Sequence, residues 1–168
     1  MSYNPAAWHD FFVMLGGSAA ALTGLVFVAL SLHLDRVAGD PFHRFRAGVS
    51  VAGLTSMIFL SGAVLAPTQS HEAVGIEVIV ISAFFVWLNA TAGRHPPPVL
   101  PGQARPPTRL LYGLATTAVY TIAGLALFIG SGSGFLILAA AMGNSMVASI
   151  KTAWDLMMQL QPQLDTRT

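Results

Sequence analysis

Five apolar stretches of about 20 residues each dominate this chain of 168 residues, at roughly 11–34, 47–66, 73–92, 110–129 and 135–154. About 20 residues of α-helix, rising ~1.5 Å per residue, cross the ~30 Å hydrocarbon layer of a bilayer. None of the five alternates apolar and polar residues as a barrel strand does. A helix in hydrocarbon satisfies its own backbone hydrogen bonds, whereas an open strand does not. The pattern therefore predicts an all-α, polytopic membrane protein, a compact bundle of five transmembrane helices forming a single domain over 1–168. Composition agrees: charged residues make up 9 % of the chain and apolar residues 54 %, against ~25 % charged residues in soluble domains.

The eight basic residues provide an independent test of the count. Arg36, Arg44 and Arg46 follow the first span, and Arg94, Arg105 and Arg109 separate the third from the fourth. Lys151 and Arg167 belong to the end of the fifth span and the tail. The segment before the first span and the connections at 67–72 and 130–134 contain none. Five crossings place all basic segments on one side. The positive-inside rule makes that side cytoplasmic, with the N-terminus outside and the C-terminus inside. Trp8 falls at the expected outer level, and Trp87, Tyr112 and Trp154 toward the inner one, where amphipathic rings meet headgroups. No basic segment precedes the first apolar run, and the run is too long for a signal peptide, so no cleavable leader is expected.

The connections carry further information. Gly130-Ser131-Gly132-Ser133-Gly134 predicts a tight turn that makes the fourth and fifth spans antiparallel neighbours. Pro96, Pro97, Pro98, Pro101, Pro106 and Pro107 predict a stiff, extended cytoplasmic loop over 93–109. No internal repeat of the kind used by many secondary transporters is visible.

Apolar side chains alone do not drive helices together in lipid; close backbone approach and interhelical hydrogen bonds do. Gly16, Ala20 and Gly24 form a smooth stripe at spacing four on the first span. Gly48, Ala52 and Ser56 form another on the second, and Ala139 and Gly143 follow on the fifth. These read as packing seams, facing either another helix of the chain or a second copy. A hydroxyl or amide also sits near the middle of each span: Thr23, Ser56, Ser82, Tyr120 with Thr121, and Asn144 with Ser145. Facing inward, they would form a polar layer that fixes helix register or lines a narrow wet path. Ser and Thr can bond the preceding turn's carbonyl, which favours register. Asn144 has no such easy outlet and calls for a partner.

Intramembrane charge is the usual functional marker, and it is scarce here. Glu77 lies about one turn inside the outer end of the third span, flanked by Ile76, Val78 and Ile79. With Asn144, Tyr120 and Ser82 it makes the candidate intramembrane polar or ion site. His9, Asp10, His71 and Glu72 gather at the outer rim, without the spacing of a known metal signature. His33 reads as a capping group at the inner end of the first span. There is no cysteine, no zincin pair, no nucleotide loop and no dinucleotide fingerprint. Neither a catalytic residue, a metal site nor a cofactor is expected, and nothing in the charge pattern suits nucleic acid.

The run Trp8-His9-Asp10-Phe11-Phe12, followed by Gly16-Gly17-Ser18-Ala19-Ala20-Ala21-Leu22-Thr23-Gly24-Leu25-Val26-Phe27-Val28-Ala29-Leu30-Ser31, resembles the first helix of a group of small bacterial integral membrane proteins of actinobacterial type. Ala153-Trp154-Asp155-Leu156 and Gly75-x-Glu77 are similar too. Some members of that group are described as modulators of the FtsH protease, which implies a role beside a larger membrane complex. The first span also loosely resembles the pore helix of Orai calcium channels, but the acidic selectivity position falls near Leu32 or His33. The expectation is a non-enzymatic protein of the cell membrane that acts by helix packing, as an accessory or regulatory subunit or a homo-oligomer. Its partners would be membrane lipids and other membrane proteins or itself. The alternative is a homo-oligomeric ion or proton channel or carrier using Glu77 and the midplane polar residues.

Overall fold

The chain begins with a 3-10 turn, Pro5–Trp8, whose proline supplies the fixed backbone angle a helical start needs. Helix α1, His9–Ser31, continues from it. Four further long helices follow: α3, Pro41–Leu65; α4, His71–Ala92; α5, Thr108–Phe128; and α6, Ser133–Leu160. A six-residue helix, α2, Leu34–Gly39, links α1 to α3. These elements come from a computed structural model that describes residues 3–92 and 108–160. The proline-rich segment expected as a stiff loop lies, up to residue 107, outside the described residues, as do Arg94, Arg105 and Arg167. The described residues are helical throughout apart from short connections, and five of the helices are long and apolar enough to cross a membrane.

Helix boundaries depart from the hydropathy reading where local chemistry intervenes. The first span was expected to run to residue 34, but α1 stops at Ser31 because His33 leaves the helical region with φ −123°. The second was expected from residue 47, yet α3 starts at Pro41. Asp40 caps it by accepting the Phe42 amide at 2.8 Å, and Pro41 takes the first helical position. Hydropathy misses this turn because Arg44 and Arg46 lie in it. The fifth span continues to Leu160. Between α5 and α6, Gly130 adopts φ +76°. The Gly130 amide donates to Leu127 and the Ser131 amide to Ala126, the paired bonds of a left-handed helix end that glycine makes without a Cβ penalty.

Packing is organised by contacts with no room for side chains. Where α4 crosses α5, a Cβ on Gly75 would stand 2.6 Å from the Phe128 nitrogen and 2.8 Å from the Gly124 carbonyl oxygen. α1 meets α3 where Gly16 faces Ser61, and α3 meets α6 where Gly53 faces Ser149. α6 thus lies between α3 and α5, with α1 outside α3 and α4 outside α5. Consecutive α3 and α4 touch only sparsely, which leaves a groove between them.

One core cluster fills the N-terminal end of the bundle, where Phe12, Leu60, Val74, Tyr120, Leu127 and Phe135 meet. Val26, Leu54 and Ala153 pack lower down, and Val37, Ala47 and Leu156 close the opposite end. Arg44, Arg46 and Lys151 gather at that second, basic end, where Arg46 reaches Asp155 at 3.8 Å and lies over the Phe42 ring. Large apolar side chains such as Leu25, Phe27, Phe59 and Leu136 point away from the protein on all sides. A monomer in water rarely exposes apolar patches beyond a few hundred Å². Among hydrocarbon chains the same faces carry no penalty.

Candidate functional site

The polar groups singled out by sequence do not converge on one point; they pair locally. The Ser82 hydroxyl lies 2.7 Å from Thr121 Oγ1 and 3.1 Å from the Thr117 carbonyl, to which Thr121 also donates. This knot joins α4 to α5. Tyr120, fully buried, donates to Ser145 at 3.2 Å and so ties α5 to α6, with its ring against Phe85. Asn144 donates to the Tyr112 hydroxyl at 2.8 Å on the exposed side of the same helix pair. Thr23 and Ser56 each donate to the carbonyl four residues back, to Ala19 and Ala52, the self-satisfying arrangement open to hydroxyls in helices. Among the described residues no hydrogen bond joins Glu77 to Ser82, Tyr120 or Asn144.

Three interior serines escaped the sequence reading. Ser50 donates to the Ser149 carbonyl at 2.9 Å, and that residue's side chain occupies the space beside Gly53. Ser61 is buried against Gly16, and its hydroxyl has no hydrogen-bond partner among the described residues. Hydropathy hides such residues because they sit inside otherwise apolar spans. The available signal was their heptad spacing. Ala47, Ser50, Leu54, Met57, Ser61 and Val64 are buried on α3, matching Phe12, Leu15, Ala19 and Val26 on α1. Steps of three and four residues keep a seam facing its partner along a left-handed crossing.

The same geometry explains where the small-residue stripes go. Steps of four drift ~40° per step around a helix, so a stripe that starts in the contact leaves it. Gly16 lies in the α1–α3 contact, but Ala20 is exposed and nothing stands within 4 Å of a Cβ on Gly24. On α3, Gly48 is likewise open while Ala52 is half-buried.

At the N-terminal end, two imidazole–carboxylate pairs form separately. His9 Nδ1 lies 3.1 Å from Asp10 in solvent. His71 Nε2 lies 3.2 Å from Glu72, with Nδ1 3.0 Å from the Phe128 carbonyl. Among the described residues no three such side chains come together as a metal site would need. Tyr3 packs edge-on against His71 and beside Phe135. Burial, with the Glu72 carboxylate adding to it, raises its hydroxyl pKa above the ordinary value. At the basic end, His33 Nδ1 lies 3.3 Å from the Ala29 carbonyl, and its side chain makes no cap bond to α2.

Glu77 stands apart from all of these. It is exposed on α4 and borders the groove between α3 and α4, a cavity of about 520 Å³ floored by Gly62 and Ala63 and walled by Phe59, Val80 and Ile81. Gln69, in the α3–α4 connection, is the other hydrogen-bonding side chain among the described residues that line this groove. No family model, no curated protein and no solved structure matches the chain.

Proposed function

We propose that the chain is a non-enzymatic, multi-pass protein of the cytoplasmic membrane, N-terminus outside and C-terminus in the cytoplasm. It acts by packing, as an accessory or regulatory subunit of a larger membrane assembly or as a homo-oligomer. The observation that carries this reading is the outward face of α1 and α3. Gly17, Gly24 and Gly48 lie there with nothing within 4 Å of where a side chain would start, and Ala20 is exposed beside them. Small residues on a lipid-facing helix let another backbone approach closely. The positive-inside rule supports the orientation, since Arg44, Arg46 and Lys151 share one end of the bundle. The resemblance of the first span to small bacterial membrane proteins, some of them described as modulators of a membrane protease, fits a role beside a larger complex.

The test is Gly24→Leu. Among the described residues nothing of its own subunit lies within 4 Å of the new Cβ, so a loss of assembly at unchanged helical content is read as a loss of the seam. The expected result is a smaller particle in mild detergent or failure to co-purify the partner, with unchanged helical content. Unaltered assembly removes the reading. The channel alternative is less well supported, because the midplane groups bond one another in separate pairs. Proton or cation flux in proteoliposomes that falls with Glu77→Gln would restore it.

A further inference from the structure

We propose that the groove between α3 and α4 binds a membrane phospholipid with a primary-amine headgroup, of the phosphatidylethanolamine type. One acyl chain lies along the groove and the headgroup ammonium donates to the Glu77 carboxylate. Three features of the groove lead to this occupant. Its volume, about 520 Å³, falls within the ~300–1,000 Å³ of small-molecule sites. Its lining includes Gly62 and Ala63, small residues that leave room for an occupant. Its walls open sideways to hydrocarbon, since Phe59 is 69 % and Val80 59 % exposed. A lipid chain enters such a groove laterally, without passing through water.

Charge selects the headgroup. A carboxyl within a membrane span calls for a partner, and Glu77 makes no hydrogen bond or ion pair within the chain's described residues. Among the described residues the cations Arg44, Arg46 and Lys151 sit at the opposite end of the bundle. At the near end, His71 is engaged by Glu72 and the Phe128 carbonyl. None of the described residues supplies the countercharge, and a molecule that does so while filling the rest of the groove is largely apolar. Glu77 lies six residues into α4, ~9 Å below its start, and helical side chains lean toward the N-terminus, so the carboxylate reaches toward the headgroup level. Gln69, at the groove's aqueous mouth, offers amide donors to the headgroup oxygens. An ammonium with N–H donors suits a carboxylate better than a choline, which has none, and far better than an anionic glycerol headgroup.

The experiment is native mass spectrometry of the purified full chain in mild detergent with phosphatidylethanolamine, phosphatidylcholine or phosphatidylglycerol added singly. The wild type is expected to retain the ethanolamine lipid about fivefold better than the glycerol lipid, the size of one partly exposed charged contact. Glu77→Gln is expected to level the three lipids. Gly62→Phe is expected to abolish retention at this site, because its ring enters space in which no protein atom lies within 4 Å of the new Cβ. Both positions are exposed, so helical content and elution volume should match the wild type. Equal retention of the ethanolamine and glycerol lipids by the wild type overturns the proposal. So does a preference that survives Glu77→Gln, or a Gly62→Phe variant that changes oligomer mass and leaves lipid retention intact. The last result would make a second copy the occupant. None of these outcomes bears on assembly through Gly24, which lies on α1 outside the groove.

Discussion

Gly75→Ala tests the packing at its tightest point. The added methyl carbon would lie 2.6 Å from the Phe128 nitrogen, 2.7 Å from its Cα and 2.8 Å from the Gly124 carbonyl oxygen. All three atoms belong to the α5 backbone, so no rotamer change relieves the clash. Ordinary contact begins at 3.4 Å; the difference, 3.4 − 2.6, requires α4 and α5 to separate by at least about 0.8 Å. Overpacking of this kind costs ~1–3 kcal/mol, and the better helix propensity of alanine offsets up to ~1 kcal/mol. The expected net destabilisation is ~1–2 kcal/mol, or roughly 2–8 °C in Tm for a chain of this size. The separation also stretches the Ser82–Thr121 contact two turns along the same interface. Thermal unfolding in detergent, followed by intrinsic fluorescence, reads the effect. Gly24→Ala is the control: nothing lies within 4 Å of the new atom, so stability should hold or rise by a few tenths of a kcal/mol. Gly113→Ala should fall between, because the atoms it meets belong to the Asn89 amide, which can swing aside. A Gly75→Ala protein as stable as the Gly24→Ala control would mean that the two backbones do not meet at Gly75 and Gly124.

Tyr120→Phe should leave the Ser145 hydroxyl without its partner inside the α5–α6 contact and cost ~0.6–1.7 kcal/mol in reversible unfolding, the range of interhelical hydrogen bonds in lipid. Asn144→Leu should cost no more than ~0.6 kcal/mol, because its bond to Tyr112 is exposed; ion leak in proteoliposomes should match the wild type. Tyr3 gives a pH prediction. Its pKa is raised in the folded chain, so its contribution is complete below the ordinary value of 10.0 and is lost as pH rises through the raised value. Thermal stability should therefore fall above pH ~10 by an increment that Tyr3→Phe abolishes; an unchanged alkaline profile in that variant would separate Tyr3 from the His71–Phe135 contact.

The class of the fold and the number of long helices were legible in one dimension. They depend on a length and a solvent: some twenty apolar residues need a hydrocarbon environment, and a backbone in hydrocarbon closes its hydrogen bonds within a helix. The turn at Gly130 was legible as well, because only glycine takes its left-handed angle without strain. Helix starts were less so. Asp40 and Pro41 begin α3 ahead of two arginines that hydropathy counts against a span.

Partners were decided by three-dimensional packing. Gly16, Ala20 and Gly24 look alike in sequence, yet the α1–α3 crossing follows a heptad seam, so only the first lies in the contact. Ser82, Tyr120 and Asn144 share a level in the membrane but point in different directions around their helices, and each bonds a different neighbour. The sequence groups Glu77 with them as one candidate site, but α3 and α4, adjacent in sequence, touch only sparsely and leave it on an open groove. Length and polarity are properties of a residue string and survive in one dimension. Which face of a helix meets which neighbour depends on rotation about its axis and on crossing angle, and those are settled only when all five helices pack at once.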